Sequence, residues 1–115
     1  VLEFLDRRVA AVRAAGVATD RIVIDPGFGF GKTLEHNLEL LRRLERFAAA
    51  GSVLLAGISR KSMLGRLAGR AVEERVYASV AAALIAAQKG ARILRVHDVA
   101  ATRDALAVWD AVRGK

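Results

Sequence analysis

Cysteine is absent from the 115 residues. That excludes disulfides and thiolate metal sites as sources of stability, and it suits a reducing compartment such as the cytoplasm. Aromatic residues make up only 5% of the chain, so Leu, Val, Ile and a great deal of Ala must fill the core. No run approaches the roughly 20 uninterrupted apolar residues that a membrane-spanning helix requires, and the stretch from Val1 onward carries no signal-peptide or lipidation pattern. Linkers rich in Pro or Ser and low-complexity tracts are missing too, so residues 1–115 read as one domain, or as part of one.

Charge is present in excess of one sign. The chain carries 19 basic and 12 acidic residues, a formal net charge of +7, and 15 of the 19 are Arg. Such a balance raises the question of nucleic acid. The arginines, however, are spread along predicted helix faces beside Glu and Asp rather than gathered in one block. A small anionic substrate accounts for the charge equally well, and neither nucleic acid nor membrane is expected as a partner.

Hydrophobic periodicity alternates between helix and strand. "VLEFLDRRVAAVRAAG" places Leu2, Leu5, Val9 and Val12 at helical spacing and ends at Gly16, a natural C-terminal cap. "TLEHNLELLRRLERFAAAG" starts at a Thr33 N-cap, carries Leu34, Leu38, Leu41 and Leu44 on one face and closes at Gly51. "AVEERVYASVAAALIAAQKG" reads as a long Ala-rich helix ending at Gly90, and the closing helix follows a cap at Asp98. Between these lie the apolar runs "RIVID", "SVLLAGIS" and "ARILRV". They are continuous rather than alternating, which is the pattern of a parallel sheet covered on both faces.

The order is helix, then strand–helix three times, with strands beginning near 21, 53 and 92. Two architectures fit: a small three-stranded α/β domain, or the carboxy-terminal part of a (β/α)8 barrel cut within its fifth unit. A whole barrel takes about 250 residues.

"DPGFGFGKT", residues 25–33, invites a nucleotide-binding reading and fails it. A Walker A loop needs Gly five places before the Gly-Lys-Thr, and that place holds Pro26, which has no N–H to offer a phosphate. Glycines at 27, 29 and 31 do not fit the dinucleotide fingerprint either. What remains is an acid, Asp25, at the carboxyl end of a strand, where parallel α/β folds carry their ligands. It either binds a ligand or caps its own loop through a backbone N–H.

The second strand ends in "GISRKS". Ser59, Arg60, Lys61 and Ser62 there form either an anion site beside a helix start or a solvated basic turn. The third strand gives "RILRVHD". Period two puts Ile93, Arg95 and His97 on one face, the last two about 7 Å apart. Arg95 stays charged and needs a partner, whether a substrate anion, a stacking ring or a structural carboxylate. His36 reads as a surface residue. All three strands thus place their polar groups at one end.

"IDPGFGFGKT", "GISRKSMLG" and "RVHDV", in this order and spacing, resemble dihydropteroate synthases over essentially the whole chain. The resemblance implies the barrel alternative. It also implies condensation of 6-hydroxymethyl-7,8-dihydropterin diphosphate with 4-aminobenzoate to 7,8-dihydropteroate and diphosphate, the folate-pathway step that sulfonamides inhibit. Asp25, Lys61 and Arg95 would then bind the pterin, with Asp25 and Lys61 closest to the chemistry. Arg95, Val96 and His97 would hold the diphosphate, while Phe30, Lys61 and Ser62 would receive 4-aminobenzoate. By the same resemblance, Mg²⁺ assists the reaction through an Asn in the amino-terminal part of the barrel. Intact barrels pair as homodimers through helices around 34–50, 72–89 and 99–113, on which Tyr77 and Trp109 serve as core or as interface. Residues 1–115 alone are expected to be inactive or nearly so. A methyltetrahydrofolate-dependent methyltransferase barrel and a non-catalytic homologue are the competing readings.

Overall fold

The described residues fold into a three-stranded parallel sheet with helices packed on one side. The computed structural model describes residues 2–18, 21–28, 33–49, 52–58 and 76–114. Among them, α1 (Leu2–Ala14) precedes β1 (Val23–Ile24), α2 (Leu34–Arg42) and α3 (Glu45–Ala48). Then come β2 (Val53–Ala56), α4 (Val76–Gln88), β3 (Ile93–Leu94) and α5 (Val99–Val112). The strand order is β1-β2-β3. Val23 pairs with Val53 and Ile24 with Leu54, while Leu55 pairs with Ile93 and Ala56 with Leu94. Strands regular over only two to four residues are lengthened at their ends by single backbone bonds, such as Arg92 N–H to Leu54 O at 2.9 Å and Arg95 N–H to Ala56 O at 3.0 Å.

Alternation along the strands sorts the two faces. Ile22, Ile24, Leu54, Ala56 and Ile58 point to the helices and are buried, joined there by Leu40, Leu44, Phe47, Ala82 and Ala86. The opposite face is open: Val23 is 49% exposed and Ile93 41%, with Val53 and Leu55 half-buried between them. This departs from the expectation that both faces would be covered. In a barrel the inner face is filled by side chains from strands across the lumen, and three strands do not curl far enough to supply them.

Helix ends follow the sequence closely. Gly16 adopts φ 101°, and the Thr33 hydroxyl accepts from His36 N–H at 3.1 Å, capping α2 as expected. Asp98 occupies the N-cap position of α5, but its side chain makes no cap bond; the first turn is held instead by Thr102, whose hydroxyl donates to Asp98 O at 2.8 Å. Gly51 lies outside the described residues. Gly90 has φ 108°, and a Cβ there would sit 2.6 Å from Ala48 Cβ, so both backbone and space require glycine at this turn.

The helix expected from residue 33 to 51 is broken. Arg43 and Leu44 form a tight turn of i−3 bonds, Leu44 N–H to Leu41 O and Phe47 N–H to Leu44 O, and α3 starts afresh. The tightening brings Leu40, Leu44 and Phe47 into one buried line. Leu34, Leu38 and Leu41 flank the core as partly buried residues rather than forming its centre. Lys89 fastens the break: its Nζ donates to Arg42 O at 2.9 Å and to Glu45 Oε2 at 3.1 Å. Glu39 pairs with Arg42 and Arg43, and Asp110 with Arg113. These contacts spread much of the basic excess over helix surfaces, as the sequence suggested. Tyr77 is 80% exposed and so is not core. Trp109 is half-buried, with the Arg113 guanidinium 3.7 Å above its ring.

Two outcomes follow for stability. Leu54 is fully buried at the centre of the middle strand, so Leu54→Ala should cost about 3 kcal/mol in a denaturant unfolding curve. The Glu45 carboxyl is held below the usual carboxylate range, first by its own backbone N–H and then by Lys89. Because the folded-state value is the lower one, its contribution is present above the ordinary value of about 4.3 and is lost as pH falls through the folded-state value. A ¹³C titration of Glu45 should show the depressed midpoint, and Lys89→Met should bring it only part of the way back.

Candidate active site

Two charged residues stand immediately beyond the strands at one end of the sheet. Asp25 follows β1 and Arg95 follows β3, and strand alternation puts both on the open face with Val23 and Ile93. Continuing the register sets Asp25 level with Leu55 and Arg95 level with Gly57. The Arg95 side chain reaches over the middle strand, and its Nη1 comes within 3.9 Å of Asp25 Oδ2. It crosses at Gly57, where a Cβ would meet Arg95 Nη2 at 2.6 Å and Cζ and Nε at 3.0 Å each.

Asp25 divides its oxygens. Oδ1 accepts the Gly27 N–H at 2.9 Å, which is the loop-capping role, while Oδ2 faces the guanidinium. The two readings of this acid therefore hold together, one oxygen each, and the structural carboxylate considered for Arg95 is present as well. That pair is a weak clasp. The Asp25 and Arg95 side chains are 36% and 59% exposed, and at 3.9 Å in such a setting an ion pair contributes at most about 1 kcal/mol. A guanidinium has five N–H donors and a flat face, so Arg95 retains most of its capacity to bind an anion or to stack on a planar ring. The pair can be parted by a ligand at small cost.

Val96, half-buried, and His97, exposed, continue from Arg95 in the bend between β3 and α5, on the same rim of the sheet. Ser59, Arg60, Lys61 and Ser62 lie outside the described residues, as does Phe30. Phe28, the other aromatic of the same loop, is fully buried and belongs to the core; the sequence offered no role for it. Gly57 was also unremarked, although a glycine inside an apolar strand signals a close approach by another group.

The described residues do not by themselves make a site for Mg²⁺. No cluster of three or more His, Asp or Glu side chains among them could hold a metal ion, and Asp25 gives one oxygen to an N–H and turns the other to a cation.

A parallel βα sheet that collects a carboxylate and a guanidinium beyond the carboxyl ends of its strands has the form of a ligand-binding α/β fold, with its site where barrel enzymes carry theirs. The sequence profile of the family described as "Pterin binding enzyme" matches residues 1–97. The chain belongs to that family.

Its relatives narrow the comparison. The chain is 51% identical over 111 residues to the dihydropteroate synthase of Haemophilus influenzae, covering 96% of this chain and 40% of that protein. It is 54% identical to that of Neisseria meningitidis serogroup B, covering 97% and 41%. Among solved structures it superposes on the dihydropteroate synthase of Xanthomonas albilineans in complex with 7,8-dihydropteroate. The TM-score is 0.96 at 53% identity, over 99% of this chain and 44% of that one. The Stenotrophomonas maltophilia enzyme, bound to imidazole in its active site, gives 0.95 at 58% identity, over 97% and 43%. The chain thus spans about two-fifths of the length of the relatives it matches, and its α/β fold is that of the corresponding barrel segment. The resemblance read from the three motifs is borne out.

The two oxygens of Asp25 can be separated experimentally. Asp25→Asn keeps an acceptor for Gly27 N–H and removes only the charge facing Arg95, whereas Asp25→Ala removes both. Hydrogen exchange at the Gly27 amide should quicken about fivefold in Asp25→Ala, as expected for losing a bond worth ~1 kcal/mol, and stay near the parent rate in Asp25→Asn.

Proposed function

We propose that residues 1–115 are the carboxy-terminal portion of a dihydropteroate synthase, a transferase of folate biosynthesis. In this reaction the methylene carbon of 6-hydroxymethyl-7,8-dihydropterin diphosphate loses its bond to the diphosphate oxygen, and the electron pair leaves with diphosphate. The same carbon bonds to the amino nitrogen of 4-aminobenzoate, which gives up a proton, and 7,8-dihydropteroate results. The observation that carries the reading is the Asp25 carboxylate and the Arg95 guanidinium facing one another at 3.9 Å on the open side of the sheet. The kinship with synthases solved with 4-aminobenzoic acid and with 7,8-dihydropteroate supports it.

Each residue then has a physical task. Asp25 accepts hydrogen bonds from the N–H edge of the pterin and favours the positive charge that builds up as diphosphate departs. Arg95 lies against the pterin ring and, with His97 and the Val96 backbone, receives the departing diphosphate. Lys61 donates to the acceptors of the pterin. Phe30 walls the aminobenzoate ring, and Ser62, with Lys61, meets its carboxylate. The step calls for stabilised charge rather than an activated nucleophile, which suits a site whose assets are one acid and several cations. Mg²⁺ would take its protein ligands from a part of the barrel other than residues 1–115.

The same reading places the enzyme in the cytoplasm as a homodimer joined through its outer helices. Among the described residues no helix is long and apolar enough to cross a membrane.

A hybrid barrel tests the proposal: residues 1–115 replace the matching stretch of the Haemophilus influenzae synthase. The hybrid should form dihydropteroate at a rate within about tenfold of the parent enzyme, and Arg95→Ala should lower kcat/KM by about 10²-fold or more, as loss of an anion-stabilising donor does. A folded hybrid that makes no dihydropteroate, or an Arg95→Ala variant with unchanged diphosphate affinity, would overturn the assignment.

A further inference from the structure

Among the described residues Gly57 is the one buried glycine, and its backbone does not explain it. Among the described residues the positive-φ glycines are Gly16, Gly27, Gly90 and Gly114; Gly57 follows directly on β2 and lies outside the left-handed region. It makes no turn and closes no helix. What sets it apart is the space where a side chain would stand. The three atoms nearest to an ideal Cβ all belong to the Arg95 guanidinium, at 2.6, 3.0 and 3.0 Å. The guanidinium therefore rests directly on the backbone of the middle strand.

This contact sets the reach of Arg95. The arginine and Asp25 issue from strands on opposite sides of β2 and stand two residues apart along the register, so their Cα atoms are roughly 12 Å apart, two strand spacings across and two residues along. Only a side chain lying low over β2 spans that gap to come within 3.9 Å of Asp25. A Cβ at position 57 would lift the guanidinium or turn it aside. Because the displaced group is the mobile end of an exposed side chain, the fold would lose little by the move.

We propose that Gly57 is a positioning residue for the diphosphate- and pterin-binding arginine: its missing side chain is the seat on which the Arg95 guanidinium is held at the depth and tilt the substrate needs. The inference rests on the dihydropteroate synthase reading and adds to it a determinant that touches no reacting atom. The smallest substitution, Gly57→Ala, should act on binding through Arg95 and leave stability nearly intact, the reverse of what a packing residue in a strand would do.

The test is a double-mutant cycle in the hybrid barrel described above, with inorganic diphosphate as the probe and the melting temperature recorded alongside. Gly57→Ala should weaken diphosphate binding and raise KM for the pterin substrate by about tenfold each, within the range of direct pairwise couplings, with a smaller change in kcat. The melting temperature should move by no more than about 2 °C. In an Arg95→Ala background, Gly57→Ala should have no further effect on diphosphate affinity. Equal losses in both backgrounds, or a Gly57→Ala variant that binds diphosphate like the parent, would overturn the positioning role while leaving the synthase assignment standing. A parent hybrid that binds no diphosphate would sink both. In the 115-residue chain itself, the Arg95 Nε–H signal should shift in Gly57→Ala while the amide signals of β1 and β3 stay in place; an unmoved Nε–H signal counts against the seat independently of any activity.

Discussion

The parallel register of β1, β2 and β3 is the constraint on which the site depends. Parallel strands present their carboxyl ends on one side, so residues that follow each strand collect at a common rim wherever they fall in the chain. Backbone bonds from Val53 N–H to Ile22 O and from Arg95 N–H to Ala56 O set how far out along the rim each residue stands. A slip of one position in β3 would turn Arg95 to the helix side and point Leu94 into the open face. The burial of Leu94 against the core opposes that slip, so the packing of the outer face fixes the chemistry of the inner one.

The outer face is built for that task. Its strand residues are large and apolar, and its helices bring Ala and Leu to meet them, with Ala82 and Ala86 allowing α4 to lie close. The inner face carries exposed Val23 and Ile93 beside Asp25 and Arg95. Apolar strand residues below and charged groups at the rim are the division that barrel enzymes share. With only the Gly27 N–H and a long, solvent-screened ion pair as partners among the described residues, Asp25 is placed without being saturated, and Arg95 is aimed without being consumed. A tighter clasp between the two would add little stability and would have to be broken by each ligand.

Much of this was legible in the residues. The three apolar runs, their spacing and the capping residues Gly16, Thr33 and Gly90 marked out the βα order, because propensity and local hydrogen bonding act over a few residues. The acid at 25 and the Arg-x-His at 95–97 announced a polar strand end, because period-two alternation is a property of the backbone. The break at Arg43–Leu44 was not legible: a leucine repeat at helical spacing fits an unbroken helix as well as two short ones. The choice was made by contacts from Lys89 and Gly90, more than forty residues away. Asp98 stands at the N-cap of α5 as its residue type suggested, although the side-chain bond across that turn comes from Thr102.

By itself the sequence determined which elements form, in what order, and which residue types stand at the strand ends; these follow from local sterics and hydrophobic period. Tertiary structure alone decided that Asp25 and Arg95, seventy residues apart, face one another, that one sheet face stays open, and that Gly57 lies beneath the guanidinium. Those facts depend on distances between strands, and a distance between strands exists only once the chain has packed.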